Sequence, residues 1–223
     1  NGPNWDPVKR TVEAGSLADL PVMIDFGGSK PPLSIEELFM NVLRPGDIFT
    51  HAYAHVGSRI PIVDENGSVR PFVFEAQKRG IVFDVGHGGG SFDFAQAVPA
   101  TNQGLFPDAI STDLHTGSMN AGMKDMGNVM SKFLNMNMSL EAVIEASTWK
   151  PAKIINRTDL GHLSVGAEAD ISIFKLLEGN FGFVDTKGVK MMGKEKLQCE
   201  LTIREGKVVY DLNGISALKT WKE

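Results

Sequence analysis

Ile110-Ser111-Thr112-Asp113-Leu114-His115 is a short apolar run that stops at an aspartate. Two earlier runs stop the same way: Asp47-Ile48-Phe49-Thr50-His51, and Ile81-Val82-Phe83-Asp84-Val85-Gly86-His87. Each is a β-branched or aromatic stretch whose C-terminal end carries a side chain able to hold a metal or move a proton. Loops at the C-terminal ends of parallel strands are where α/β barrels put their chemistry. The pattern predicts an α/β fold whose strand ends converge on one site.

The segments between these runs read as helices. Residues 6–17 are opened by Asp6 and Pro7, residues 34–40 have Ser34 and Glu37 at capping-box spacing, and residues 71–79 begin with Pro71. Further helices are expected from Ser91, over residues 124–134 and 139–147, and in a short stretch from Lys150 started by Pro151. Residues 20–26 read as a buried strand closed by Gly27-Gly28, and residues 64–67 as a tight turn. Strand–helix units in succession call for a parallel sheet, curled as a barrel or doubly wound. After Gly161 the texture changes. Residues 169–174, 199–203 and 208–210 alternate with period two, and Gly206 sits between the last two as a hairpin turn. This predicts a small antiparallel sheet over residues 162–213.

The chain has 223 residues, 42% hydrophobic and 22% charged, enough for one substantial domain or a domain plus an appendage. The net charge of -5 argues against nucleic acid or an anionic membrane as the main partner. Cys199 is the only cysteine, so no intrachain disulfide is available and a cytoplasmic setting is the default expectation. No apolar stretch is long enough to span a bilayer. The polar start Asn1-Gly2-Pro3-Asn4-Trp5 does not read as a signal peptide, and helix-like sequence with no strand before it reads as a truncation.

Five histidines are available to a site: His51, His55, His87, His115 and His162. A catalytic divalent metal needs a few imidazole or carboxylate ligands and one open position for water. Residues at neighbouring strand ends reach one axis without special spacing, which is how His51, His87 and Asp113 could act together. Each has a plainer role open to it: His51 and His55 as loop hydrogen-bonding residues, His162 as a surface histidine, Asp113 as a cap for the loop after it. The run Gly86-His87-Gly88-Gly89-Gly90-Ser91 lacks both the P-loop ending and dinucleotide spacing, and reads as a close-approach substrate loop with Ser91 as N-cap. Cys199 has no histidine beside it and reads as core. Met123, Met126, Met130, Met136 and Met138, at near-helical spacing, read as core or interface.

Together these segments resemble the amidohydrolase superfamily, in its deacetylase or dihydroorotase-like branch. The stretches Ser147-Thr148-Trp149-Lys150-Pro151-Ala152 and Gly161-His162-Leu163-Ser164-Val165-Gly166-Ala167-Glu168-Ala169-Asp170 add to the resemblance, which covers nearly the whole chain. It implies the C-terminal half of a (β/α)8 TIM-type barrel, strands five to eight, over residues 1–160, followed by a small antiparallel β segment, a β-sandwich portion over residues 161–223. It implies one or two divalent metals, usually zinc, in the intact enzyme. On the resemblance His51 takes the strand-six ligand position, and Asp113 the strand-eight position as ligand and general base. His87, Gly88 and His115 would contact substrate. Asp25 stands where a strand-five histidine is expected, and as a carboxylate it could still bind metal. The family's His-x-His and strand-four lysine have no counterpart in this sequence.

The implied activity is hydrolysis of a C–N amide bond or an acetyl ester of a small molecule by metal-activated water. Deamination of a nucleobase-type ring on the same scaffold is one alternative. A truncated, catalytically inactive domain that serves only as a structural or oligomerising unit is another. Expected partners are a small-molecule substrate and further copies in a homo-oligomer, with neither nucleic acid nor membrane.

Overall fold

The computed structural model describes residues 3–25, 28–219 and 221. Its first layer is a parallel sheet in chain order: β1 (Met23–Ile24), β2 (Ile48–Phe49) and β3 (Val82–Phe83). Residues 109–113 run alongside β3 as a fourth member. Asp84 bridges Ala109 in parallel, and the amides of Val85, His87 and Gly88 donate to the carbonyls of Ala109, Ser111 and Thr112. Phe26 and Gly27, expected at the end of the first strand, lie outside the described residues.

The helices lie between and around these strands. They are α1 (Asp6–Ala18), α2 (Ile35–Glu37), α3 (Pro71–Arg79), α4 (Phe94–Asn102), α5 (Met126–Leu134), α6 (Leu140–Ser147) and α7 (Trp149–Ile154). Ser34 caps α2 by accepting from the Glu37 amide, as its spacing predicts; the chain then widens into a π-helical turn, Leu38–Val42. Two expected starts move. Asp6 lies inside the first turn of α1, behind Trp5. Helix α4 opens at Phe94 rather than near Ser91, because the Asp93 carboxylate accepts from the Ala95 amide. That leaves Phe92 free to sink into the core, where it is fully buried.

The core gathers around Phe39, Phe49 and Phe83, with ring centroids 4.8 Å apart for Phe39 and Phe49 and 5.4 Å for Phe39 and Phe83. Edge-to-face pairs of this kind add to the area they bury. Met123, Met130, Met136 and Met138 are buried in the same cluster and Met126 packs against it, so the methionines fill the core. At the N-terminal end of the strands the buried Asp47 carboxylate ties β1 to β2. It accepts from the Val22 amide at 3.0 Å and from the Arg44 guanidinium at 2.7 Å.

The antiparallel sheet is larger than its alternating stretches suggest. It comprises β4 (Ile171–Val184), β5 (Lys190–Arg204) and β6 (Lys207–Asp211) in that order. Glu205 and Gly206 both take positive φ in the β5–β6 hairpin, a turn that wants glycine. Helix α5 packs on β5. The Ser131 hydroxyl accepts from the Leu197 amide at 2.9 Å, and the Asn135 amide group donates to the Glu195 carbonyl at 2.7 Å. Cys199 is half-buried in this sheet. Among the described residues no helix is long and apolar enough to cross a membrane.

Candidate functional site

A cleft of about 300 Å³ opens at the C-terminal ends of the parallel strands. Asp25 reaches it from the end of β1, His51 and Arg59 from beyond β2, Gly89, Gly90 and Ser91 from beyond β3, and Asp113 and His115 from the fourth segment. Every strand end therefore contributes to its wall.

His51 is held in an uncommon conformation, with φ at +55°. Its Nδ1 lies 2.5 Å from the Gly86 carbonyl oxygen. A carbonyl only accepts, so Nδ1 carries a hydrogen, and in the neutral ring Nε2 keeps its lone pair. That Nε2 faces the exposed Asp25 carboxylate at 3.5 Å. Two acceptors facing each other are favourable only with a proton or a cation between them. The Arg59 guanidinium donates to the His51 carbonyl at 2.5 Å and lies 5.2 Å from the centre of the Phe49 ring. Burial pushes Arg59 down to about 10, against the pull of Asp25.

Asp113 also has positive φ, +47°, and is exposed to the cleft. Non-glycine residues in this region cost about 1–3 kcal/mol each and cluster at functional sites. The loop after Asp113 is closed on itself. Ser118, fully buried, donates through Oγ to the Asp113 carbonyl at 3.1 Å and accepts from the His115 amide at 2.8 Å. The Gly117 amide donates to Nδ1 of His115 at 3.1 Å.

Beneath the cleft the Asp84 carboxylate gathers two more strand ends. Its Oδ2 accepts from Thr50 at 2.6 Å and from Ser111 at 2.9 Å, and the Ser111 hydroxyl in turn accepts from the Gly86 amide. Burial raises the Asp84 carboxyl above its ordinary range, and these hydrogen bonds offset part of the rise.

His87 sits elsewhere than its expected place at the substrate. It is fully buried, outside the lining of the cleft, and stacks on Phe92 with centroids 4.4 Å apart. Its Nδ1 donates to the Gly88 carbonyl and its Nε2 lies 2.6 Å from Nζ of Lys132. Burial, then the Lys132 charge, holds the imidazole down at about 3. Gly88 is packed behind Asp113 rather than along the cleft wall. The structure thus brings His51, Asp25, Asp113 and His115 together and sets His87 aside. His55 reaches the buried Asp93 at 3.7 Å, and His162, half-buried, meets the ring of Trp149 edge to face.

Sequence reasoning missed Asp84, Arg59 and Lys132. A carboxylate inside the apolar run Ile81-Val82-Phe83-Asp84-Val85, and a lysine between Met130 and Phe133 on a buried helix, were the available signals. Arg59, in an irregular loop, carried none.

Among the described residues no three of the His, Cys, Asp and Glu side chains stand close enough to hold a metal ion together. A catalytic zinc takes three protein ligands. The facing pair of His51 and Asp25, with Asp113 in the same cleft, fits part of such a donor set and not the whole.

A sequence profile described as the amidohydrolase family matches residues 90–209. The chain is 38% identical over 186 residues to a deacetylase of Brucella anthropi, covering 82% of this chain and 44% of that protein. It is 36% identical to a deacetylase of Agrobacterium fabrum over the same shares. The chain thus spans about half the length of the curated relatives it matches. Among solved structures it resembles an adenine deaminase, with TM-score 0.85, 27% identity, and coverage of 94% of this chain and 56% of that one. It also resembles a dihydroorotase, with TM-score 0.76, 31% identity, and coverage of 94% and 54%.

Proposed function

The chain belongs to the amidohydrolase family, and from that membership we propose that it supplies one wall of the active site of a metal-dependent hydrolase. The reaction is cleavage of a C–N amide bond or an acetyl ester of a small molecule. The observation that carries this reading is the convergence of Asp25, His51, Asp113 and His115 from separate strand ends on one cleft. We take the parallel layer, within residues 1–160, as strands five to eight of a (β/α)8 barrel, and residues 161–223 as a β-sandwich portion. The chain order of β1, β2, β3 and the fourth segment supports this.

His51 through Nε2, Asp25 and Asp113 are the residues that would hold a divalent ion, zinc by preference, with further ligands supplied from outside this chain. Such an ion supplies Lewis acidity toward water and the scissile carbonyl. Asp113 accepts the proton of the attacking water and returns it to the leaving nitrogen or oxygen. His115 meets the substrate from the same wall, and the glycines at 89 and 90 let it approach the backbone closely.

A second reading is favoured by the adenine deaminase likeness, whose TM-score of 0.85 exceeds the 0.76 of the dihydroorotase. The same groups would then act on a ring amine and release ammonia. The test is a zinc titration by calorimetry followed by product analysis. His51→Ala and Asp25→Ala should each weaken zinc binding by about tenfold or more; unchanged binding overturns the ligand assignment. Acetate released from N-acetyl and O-acetyl substrates supports hydrolysis, ammonia released from adenine supports the second reading, and neither from the zinc-loaded protein assembled with the segment that supplies the remaining ligands overturns both. Assembly into a homo-oligomer is part of the proposal and is read by light scattering; a monomer at every concentration removes it.

A further inference from the structure

The loop at residues 88–91 lines the cleft through Gly89, Gly90 and Ser91, and its glycines have no side chains to pack, so something else must fix its course. Both of its ends are tied to the tip of the β4–β5 hairpin, the entry through Lys132 of α5 and the exit directly. At the entry, Lys132 is fully buried and donates to the Val184 and Gly122 carbonyls, each at 2.8 Å. Its remaining hydrogen is directed at Nε2 of His87, 2.6 Å away. At the exit, Thr186 donates to the Phe92 carbonyl through both its amide and its hydroxyl, at 3.0 and 2.6 Å. The buried Asp185 carboxylate accepts from the Phe94 amide at 3.1 Å, and Lys187 reaches the Asp93 carboxylate at 2.5 Å.

A buried lysine is tolerated where all its hydrogens are used. Two carbonyls, one imidazole and the ring faces of Phe92 and Phe94 at 5.3 and 5.8 Å use them here. Loss of the amine would leave those acceptors unpaired at the spot where the loop begins.

We propose that Lys132 is a positioning residue which, with the hairpin tip at residues 184–187, clamps both ends of the cleft loop and so fixes the wall behind Asp113. The antiparallel sheet then has a part in the site although none of its side chains lines the cleft. The proposal rests on the hydrolase reading only in taking this cleft as the site.

Amide hydrogen exchange on the whole chain tests it. In Lys132→Met the His87 and Gly88 amides, bonded to Ser111 and Thr112, should exchange about tenfold faster or more, while helices α1 and α3 keep their protection. A uniform rise across the molecule, or no rise in the loop, overturns the proposal. Should Lys132→Met fail to fold, Thr186→Val decides. It removes one hydrogen bond at a half-buried residue, and faster exchange confined to residues 86–93 is expected. Unchanged exchange there overturns the clamp. Faster loop exchange in a protein that hydrolyses no acetyl substrate even unaltered and with the outside ligands supplied would leave the clamp standing and the hydrolase reading overturned.

Discussion

A Cβ placed on Gly88 would lie 2.5 Å from Oδ2 of Asp113, closer than any real contact of that kind. Gly88 also holds φ at +51°, where a side chain is strained whatever the space. The loop therefore reaches Asp113 only because position 88 has no side chain. Gly88→Ala should push the carboxylate out of place and lower kcat/KM for acetate release by about a hundredfold, since small misplacements cost that much. Steady-state kinetics check this, and unchanged kinetics would show that Asp113 need not sit where it does.

Asp113→Asn separates chemistry from folding. The side chain is exposed, and Ser118 is bound through the backbone carbonyl, which the substitution keeps. Turnover should fall by about 10²–10⁴ as expected for loss of a general base. Stability should stay within about 0.5 kcal/mol, as for other exposed sites. Retained turnover would remove Asp113 from the role of base.

Asp84→Asn should act the other way, on the scaffold first. One carboxylate oxygen accepts from both Thr50 and Ser111, and an amide presents a single acceptor oxygen and an NH₂ group that must find its own partner. The expected loss is about 1–3 kcal/mol, read as a lower urea midpoint. The His51 and Ser111 strand ends should loosen together, visible as faster exchange of the Gly86 amide, and a normal midpoint would show that this oxygen can be spared.

Two buried basic groups make stability depend on pH. Lys132 is held at about 7 by burial, below its ordinary 10.5, and His87 at about 3 against 6.5. In both windows the unfolded chain binds more protons than the folded one, so stability rises with pH. The His87 penalty appears as pH falls from about 6.5 toward 3, and the Lys132 penalty is lifted as pH rises from about 7 toward 10.5. The melting temperature of the unaltered chain should therefore climb between neutral and alkaline pH. Lys132→Met should flatten that upper climb, and a profile that keeps its slope in the variant would assign the effect to other groups.

Much of this was legible. Helix α3 opens at Pro71 and ends before Gly80 as the sequence predicts, and the strand-end rule leads directly to His51 and Asp113. What escaped did so for local reasons. In the stretch from Lys175 to Lys196 glycines at 179, 182 and 193 and a register shift between Glu178 and Phe181 break the alternation that marks a strand, so most of β4 and β5 could not be read. Ser91 and Asp93 can both cap a helix, and the choice between them is made by Phe92, whose burial under His87 is a tertiary contact. The glycines around His87 suggest an open loop, yet the ring is buried by that same phenylalanine. Arg59 acts through its contact with a backbone carbonyl, which no side-chain pattern announces.

The hydrogen bond from the Gly117 amide to His115 gives the cleft a direction. An amide can only donate, so Nδ1 of His115 accepts, and in the neutral ring the hydrogen resides on Nε2. His51 is arranged the opposite way. With both rings neutral, one wall of the cleft offers the lone pair that would hold the ion and the other wall an N–H. A molecule seated between them would turn its electron-rich end toward the N–H of His115 and its scissile carbonyl toward the ion.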